Sequence, residues 1–422
     1  MSIPSTGAAQ RPAALLTATL ALLSFVLPLA TDMYLPALPT MADDLGTDAS
    51  GVQLTLTAFL FGTAAGQLVL GPLSDRYGRR MPILIGAAVC TLATALCAVA
   101  PNLEVLIVLR FVTGLSGAAG LVVGRAVISD VTTGAVAARL FGVLMALGGI
   151  APIVAPLAGG AVVSNAGGWR GVFWLLSGIS LLMFLAALFF IPESLPKERR
   201  RPGGVGATLQ AARSVLTDRA YLGYTLAFSF ACGALFCYIA ASAFLLQNVL
   251  DFTVGQASVA FSLAALTATL SSTANTKLVG RYHPRLLLRI GLTTMLTATT
   301  AALLVTLAGQ LNRVLALGLI GIAFIGIGQV FGTATALAIE RVPHAAGTGS
   351  AVLGTLQSVL GAAASPLVGL GGEDTAVPLF VGMAVCSLIA VLALLLTRGG
   401  TPTRHSPGSP RDDMETSASA AI

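Results

Sequence analysis

Continuous apolar runs, separated by short polar breaks, dominate this chain. Twelve such runs occupy residues 13–37, 52–72, 82–100, 103–124, 139–163, 171–191, 220–246, 256–278, 286–308, 314–338, 347–370 and 376–397. A helix crossing the hydrocarbon core needs about 20 apolar residues, so each run predicts one crossing. Strands of a transmembrane barrel would alternate apolar and polar positions, and these runs do not. The first run follows Arg11, as the apolar part of a signal peptide would follow a basic residue. It is too long for that role and is read as a retained first helix.

The longest internal break, residues 192–219, reads PESLPKERRRPGGVGATLQAARSVLTDR and divides the runs six and six. The predicted organisation is a cytoplasmic N-terminus at 1–12, a six-helix bundle at 13–191, a cytoplasmic linker at 192–219, a second bundle at 220–397 and a disordered tail at 398–422. A short surface helix is expected at 206–217. The linker's arginines read as topological anchoring, with a lipid-headgroup site as the alternative. The halves echo each other. APLAG at 155–159 has a counterpart SPLVG at 365–369, and DRYGRR at 75–80 has a counterpart GRYHPR at 280–285. The offsets, 210 and 205 residues, are close to half the chain. The fold class is therefore all-α and polytopic, with two pseudo-symmetric bundles, a design that puts a site between repeats near the midplane.

Composition narrows the function. Of 422 residues, 56% are hydrophobic and 9% charged, and the mean hydropathy is +0.90. Soluble domains carry about 25% charged residues, so a cytosolic enzyme, a disordered chain and a nucleic-acid-binding domain are excluded. Five cysteines (Cys90, Cys97, Cys232, Cys237, Cys386) lie inside apolar runs, and three histidines (His283, His344, His405) lie at or beyond helix ends. Neither set has metal-ligand spacing, and no metal or cofactor is expected. The net charge of +6 is a sidedness signal. With both termini inside, 20 of the 23 Lys and Arg residues fall on the cytoplasmic side, and only Arg110, Arg170 and Arg313 do not. Outer loops carry Asp43, Asp44, Asp48, Glu104, Asp251, Glu373 and Asp374 instead. This is the positive-inside pattern of a multi-pass protein of the cytoplasmic membrane.

Two ionisable residues lie within apolar runs. Asp32 sits in LATDMYLPALP and Arg110 in VLRFVTGLSGAAG. A charge in hydrocarbon costs several kcal/mol, about 2.5–3.5 on insertion scales, and faces a bundle interior or a partner. Asp32 is the candidate proton carrier; the alternative is a helix cap near the outer interface. Arg110 keeps its proton and either braces backbone, tunes Asp32 or meets substrate. The segment LGGIAPIVAPLAGG holds Gly148, Pro152, Pro156, Gly159 and Gly160. Its prolines bend a helix and its glycines admit close neighbours, which fits both tight packing and a cavity wall that seals a leak. In the loop GPLSDRYGRR, Gly71 and Pro72 are expected to end a helix, with Asp75 at the start of a neighbouring helix. Arg76, Arg79 and Arg80, with Gly78 between them, are expected to pair with Asp130 in a gate that opens and closes at the inner face. Candidate walls of a substrate pocket are Tyr34, Tyr238, Phe244 and Gln357, together with Asp32 and Arg110.

These motifs carry a resemblance. GPLSDRYGRR looks like motif A of the major facilitator superfamily, LRFVTG resembles its motif B arginine at Arg110, and LGGIAPIVAPLAGG is similar to its antiporter motif C, with Ala155 where a glycine is usual. TDMYLP, GRAVISD at 124–130 and AGTGSAVLGTLQ at 346–357 together resemble the bicyclomycin-resistance (Bcr/CflA) subgroup of drug:proton antiporters. The resemblance spans about 13–397. It implies twelve helices around an aqueous cavity and export of bicyclomycin-, chloramphenicol- or florfenicol-like drugs in exchange for protons, with Asp32 and Arg110 at the cavity. Some relatives carry a second acidic residue two turns before the aspartate; here Ser24 stands there. The expected partners are a small-molecule drug, protons and the bilayer, and the expected state is a monomer. Rival readings are a proton-coupled metabolite transporter on the same fold and a polytopic enzyme or receptor, although no nucleophile–base or metal constellation is visible.

Overall fold

The computed structural model describes residues 7–132, 134–165, 167–200, 213, 215–369, 371–372 and 374–399. Most of the expected 206–217 helix, Glu373 and the tail beyond 399 lie outside the described residues. Among those described, twelve helical segments are long and apolar enough to cross a membrane, and none forms a strand. The protein is a multi-pass membrane protein.

The helices are α1 (Gly7–Asp32), α2 (Leu38–Leu45), α3 (Ala49–Tyr77), α4 (Arg80–Ala98), α5 (Leu103–Val131), α6 (Gly134–Asn165) and α7 (Gly168–Phe190) in the first half. In the second half they are α8 (Arg219–Phe244), α9 (Val254–Leu278), α10 (Pro284–Leu307), α11 (Arg313–Arg341), α12 (Ala346–Gly369) and α13 (Val377–Ala393). The first predicted run is not one helix. It breaks after Asp32 into a 3₁₀ turn, Leu35–Ala37, before α2. Pro36 and Pro39 have no N–H to continue the helical hydrogen bonding.

Helix starts are fixed by side chains accepting from free amides. Asn102 accepts from Val105 N at 3.0 Å to start α5, and Asn312 accepts from Leu315 N at 3.0 Å to start α11. These caps stand 210 positions apart, one of the two offsets found in the sequence echoes. Asp48 caps α3, and Thr253 forms a capping box with Gln256 on α9, 205 positions later. The duplication therefore extends from loop motifs to the caps that set helix register.

In the first half α5 is flanked by α3 and α4, while α1 packs on α5, α6 and α7. In the second half α8 packs on α11, α12 and α13. Of its most apolar stretch 83% is buried, against 50% or less for every other span, which makes α8 the axial helix of its bundle. The bundles meet through α3 against α12 and α6 against α9, pairs that exchange under the pseudo-twofold. Large apolar side chains such as Phe189, Leu182, Val314 and Leu367 point outward and are exposed, the surface that lipid covers in a protein of this class.

Two neighbouring glycines of α6 set the closeness of these contacts. A Cβ at Gly159 would meet the Met33 carbonyl at the end of α1, and one at Gly160 would meet Ser258 on α9. One helix thus touches both its own half and the other. Pro152 and Pro156 remove amides that the Gly148 and Pro152 carbonyls would accept. The carbonyls next along the chain, Gly149 and Ile153, take hydroxyls from α9, Thr269 at 3.2 Å and Ser262 at 2.7 Å. Gln247 adds a third bond between the halves, 3.0 Å to the Pro36 carbonyl in the turn between α1 and α2. Among the described residues these three hydrogen bonds join the halves.

Candidate functional site

Arg110 is 1% exposed in the middle of the first bundle. Its Nη2 donates to the Ala30 carbonyl at 3.1 Å. The guanidinium carbon lies 4.3 Å from the ring centres of both Tyr34 and Phe59, and 5.7 Å from Phe173. The cation is thus held by three π-faces and one carbonyl. A desolvated cation–π contact is worth about 2 kcal/mol, so several together offset part of the cost of burying a charge. Arg110 Nε and the Tyr34 hydroxyl have no partner among the described residues.

Asp32 is 8% exposed. No ion pair joins it to Arg110 within 4 Å, and it has no hydrogen-bond partner among the described residues. The two charges are linked through the backbone instead, because Arg110 grips Ala30, two residues before Asp32. Half-exposed Ala21, Ser24, Phe25 and Pro28 lie on the turns of α1 before it.

The other candidate wall residues separate. Tyr34 lies under Arg110. Tyr238 is buried within the second bundle, its ring 4.9 Å from Phe324 and 6.1 Å from Phe261 in edge-on contacts. Phe244 is buried at the last α-helical position before a π turn, Leu245–Val249, which carries Gln247. Gln357 is half-buried on α12. Tyr34, Arg110 and the Asp32 segment therefore form one constellation, and the remaining three belong to the opposite half.

Between α3 and α4, Arg79, 9% exposed, is the centre of the charge network. Its Nη1 donates to Ser74 Oγ at 2.8 Å and Asp75 Oδ1 at 2.5 Å, and its Nε to Asp130 Oδ2 at 3.0 Å. Several expectations change here. Helix α3 does not end at Gly71 and Pro72 but runs through Pro72 to Tyr77, since one missing amide does not stop a helix held by tertiary packing. Asp75 turns to Arg79, and Glu193 takes the start of α4, accepting from the amides of Arg79 at 2.8 Å and Arg80 at 3.4 Å. Of the three arginines only Arg79 pairs with Asp130. Arg76 stacks over Tyr77 at 5.2 Å, and Arg80 donates to the Leu188 carbonyl at 3.0 Å. Gly78 has φ 96°, and a Cβ there would strike the Glu193 carboxylate, so only glycine suits the turn.

Sequence reasoning missed Glu193 and Ser194, whose hydroxyl donates to Asp130 at 3.0 Å. It also missed Arg200, whose Nη2 is 3.6 Å from Glu193. Every described partner in this network belongs to the first half or the start of the linker. It ties α3, α4, α5 and the linker together and does not bridge to the second bundle in this structure.

The two bundles, their α3–α12 and α6–α9 seams and the braced Arg110 can now be set beside known proteins. The family model described as Major Facilitator Superfamily matches residues 20–366. The chain belongs to the major facilitator superfamily. Within that superfamily it is 38% identical over 375 residues, 89% of this chain and 93% of the other, to a Bacillus subtilis protein called uncharacterized MFS-type transporter YdgK. It is 32% identical to a Haemophilus influenzae bicyclomycin resistance protein homolog, covering 89% and 94% of the two chains. It is also 32% identical to a Pseudomonas aeruginosa chloramphenicol resistance protein, covering 90% of each. Among solved structures it is similar to the nucleoside transporter NupG, with TM-score 0.71, 15% identity and coverage of 91% and 100%. A bacterial homolog of the lysosomal transporter Spinster, captured facing inward, gives TM-score 0.68 at 16% identity, covering 93% and 95%. At these identities the structural likeness speaks to the fold, which is that of the superfamily.

Proposed function

We propose that this chain exports small, mostly apolar antibiotics, of the chloramphenicol, florfenicol or bicyclomycin kind, across the cytoplasmic membrane in exchange for protons. Both termini face the cytoplasm, and the protein works as a monomer driven by the proton gradient, with no cofactor. The observation that carries this reading is Asp32, a buried carboxylate with no counter-ion among the described residues, at the break where α1 ends. An unpaired carboxylate in a dry site favours its neutral form, and a hydrated one its charged form, so alternating hydration moves a proton. The fixed charge of Arg110 cannot do this. The names of the drug-resistance relatives support the substrate class.

Drug loads from the cytoplasm at a site between the two halves. Proton uptake at Asp32 from outside then displaces the drug, and return to the inward state releases the proton. The test is efflux of chloramphenicol and florfenicol from cells, or uptake into inverted vesicles, with and without an uncoupler. Uncoupler-sensitive transport lost in Asp32→Asn is the expected result. Proton-coupled efflux persisting in Asp32→Asn refutes the role of Asp32, and no drug transport by a correctly inserted protein moves the assignment to a metabolite.

A further inference from the structure

A groove on the outer wall of the first bundle lies apart from the Asp32–Arg110 constellation. Helices α3 and α4 each lie close on α5. Gly66 of α3 seats against Leu115 and Ala118, and Gly86 of α4 against Ser116 and Ala119. Both walls rest on the same floor, and between them opens a cavity of about 450 Å³, within the 300–1,000 Å³ range typical of ligand sites. Its walls are Leu70 and Leu73 on α3 and Ile85 and Val89 on α4, with Leu115 and Ser116 beneath. From Met81 to Val89 it spans about 12 Å along α4 at ~1.5 Å per residue. Leu73, Met81, Ile85 and Val89 are all exposed, so the groove faces the hydrocarbon and is shaped for an alkyl chain.

The inner end of the groove is polar. Tyr77 lines the mouth, 52% exposed, and the Arg76 guanidinium lies 5.2 Å above its ring. Arg76 is exposed and has no carboxylate partner among the described residues, because the neighbouring Asp75 is committed to Arg79. An apolar slot ending in an uncompensated arginine at the level of the headgroups matches one amphiphile, an anionic phospholipid of the inner leaflet. We propose that this groove holds one such lipid, its acyl chain between α3 and α4 and its phosphate on Arg76.

The test is native mass spectrometry of the detergent-purified protein with phosphatidylglycerol, and separately with phosphatidylethanolamine of the same chains. The wild type is expected to retain one phosphatidylglycerol in preference to phosphatidylethanolamine. Arg76→Gln should weaken phosphatidylglycerol retention about fivefold, the worth of one surface arginine against an anionic headgroup, and leave phosphatidylethanolamine unchanged. Ile85→Trp, which fills the slot, should weaken both, while Leu304→Trp, on the exposed face of the other bundle, should weaken neither. Equal retention of the two lipids by the wild type, no effect of Arg76→Gln or Ile85→Trp, or an equal effect of Leu304→Trp would each overturn the assignment.

Discussion

The guanidinium of Arg110 is fixed to the carbonyl of Ala30 at 3.1 Å, not to the carboxylate of Asp32. The arginine therefore sets the position of the last turn of α1 and leaves Asp32 without an ion-pair partner among the described residues. A direct ion pair would hold the carboxylate in its charged form, against the proton-carrier role proposed above.

This division of labour predicts that Arg110→Lys fails. A lysine carries the charge but is a point donor without the planar face that stacks on Tyr34, Phe59 and Phe173. Drug efflux should fall at least ~10-fold, equivalent to ~1.4 kcal/mol of lost interaction, at unchanged membrane abundance. Efflux of Arg110→Lys at the wild-type rate would show that charge alone suffices.

In the Arg79 network, Glu193→Gln removes the anion that accepts from the amides of Arg79, Arg80 and Leu195 and pairs with Arg200. A hydrogen bond to a charged group is worth about 1.5–3 kcal/mol, so the thermal midpoint of the purified protein should drop by several degrees. Arg79→Ala should cost at least as much, because it strands Asp130 and Asp75. In the double variant the losses should be less than additive, since both act on one network; strictly additive midpoints would separate the two residues.

The paired glycines of α6 make opposite demands. Gly159→Ala pushes a methyl into the rigid Met33 carbonyl and should abolish transport or folding. Gly160→Ala meets the Ser258 side chain, and Ser258→Gly should restore it. Efflux measured in Gly160→Ala and in the double variant with Ser258→Gly checks this, and rescue of Gly159→Ala by the same serine change would contradict the assignment of contacts.

The start of the second bundle supplies a pH dependence. Partial burial raises the Asp218 carboxyl, but the Tyr221 amide, the Arg341 side chain and the Ala220 amide outweigh it and hold the group below its ordinary range. A depressed carboxylate contributes stability above its unfolded value, about 3.9, and loses it as pH falls through the lower folded value. Asp218→Asn should therefore lower the thermal midpoint at pH 7, and the difference from wild type should shrink below about pH 4. A constant difference across that range would assign the effect to packing.

What the sequence determined by itself is what depends on local composition. Twelve runs of sufficient length, the division into halves and the proximity of Arg79 to Asp130 are legible because hydrocarbon thickness acts on each segment separately. Even the caps follow this rule, since Asn102 and Asn312 each bond three residues ahead. What the tertiary structure decided is which faces meet. A helix bordered by protein on one side and lipid on the other is apolar all round, so its pattern carries no mark of rotation. Phe59 and Phe173 around Arg110, Ala30 as its acceptor 80 positions away, and Glu193 at the start of α4 114 positions away from Arg79 arise only when packed bundles fix those rotations. The break after Asp32 belongs to both levels: Pro36 withholds the amide that the Asp32 carbonyl would accept, and the fold turns this into a break where α3 continues through Pro72.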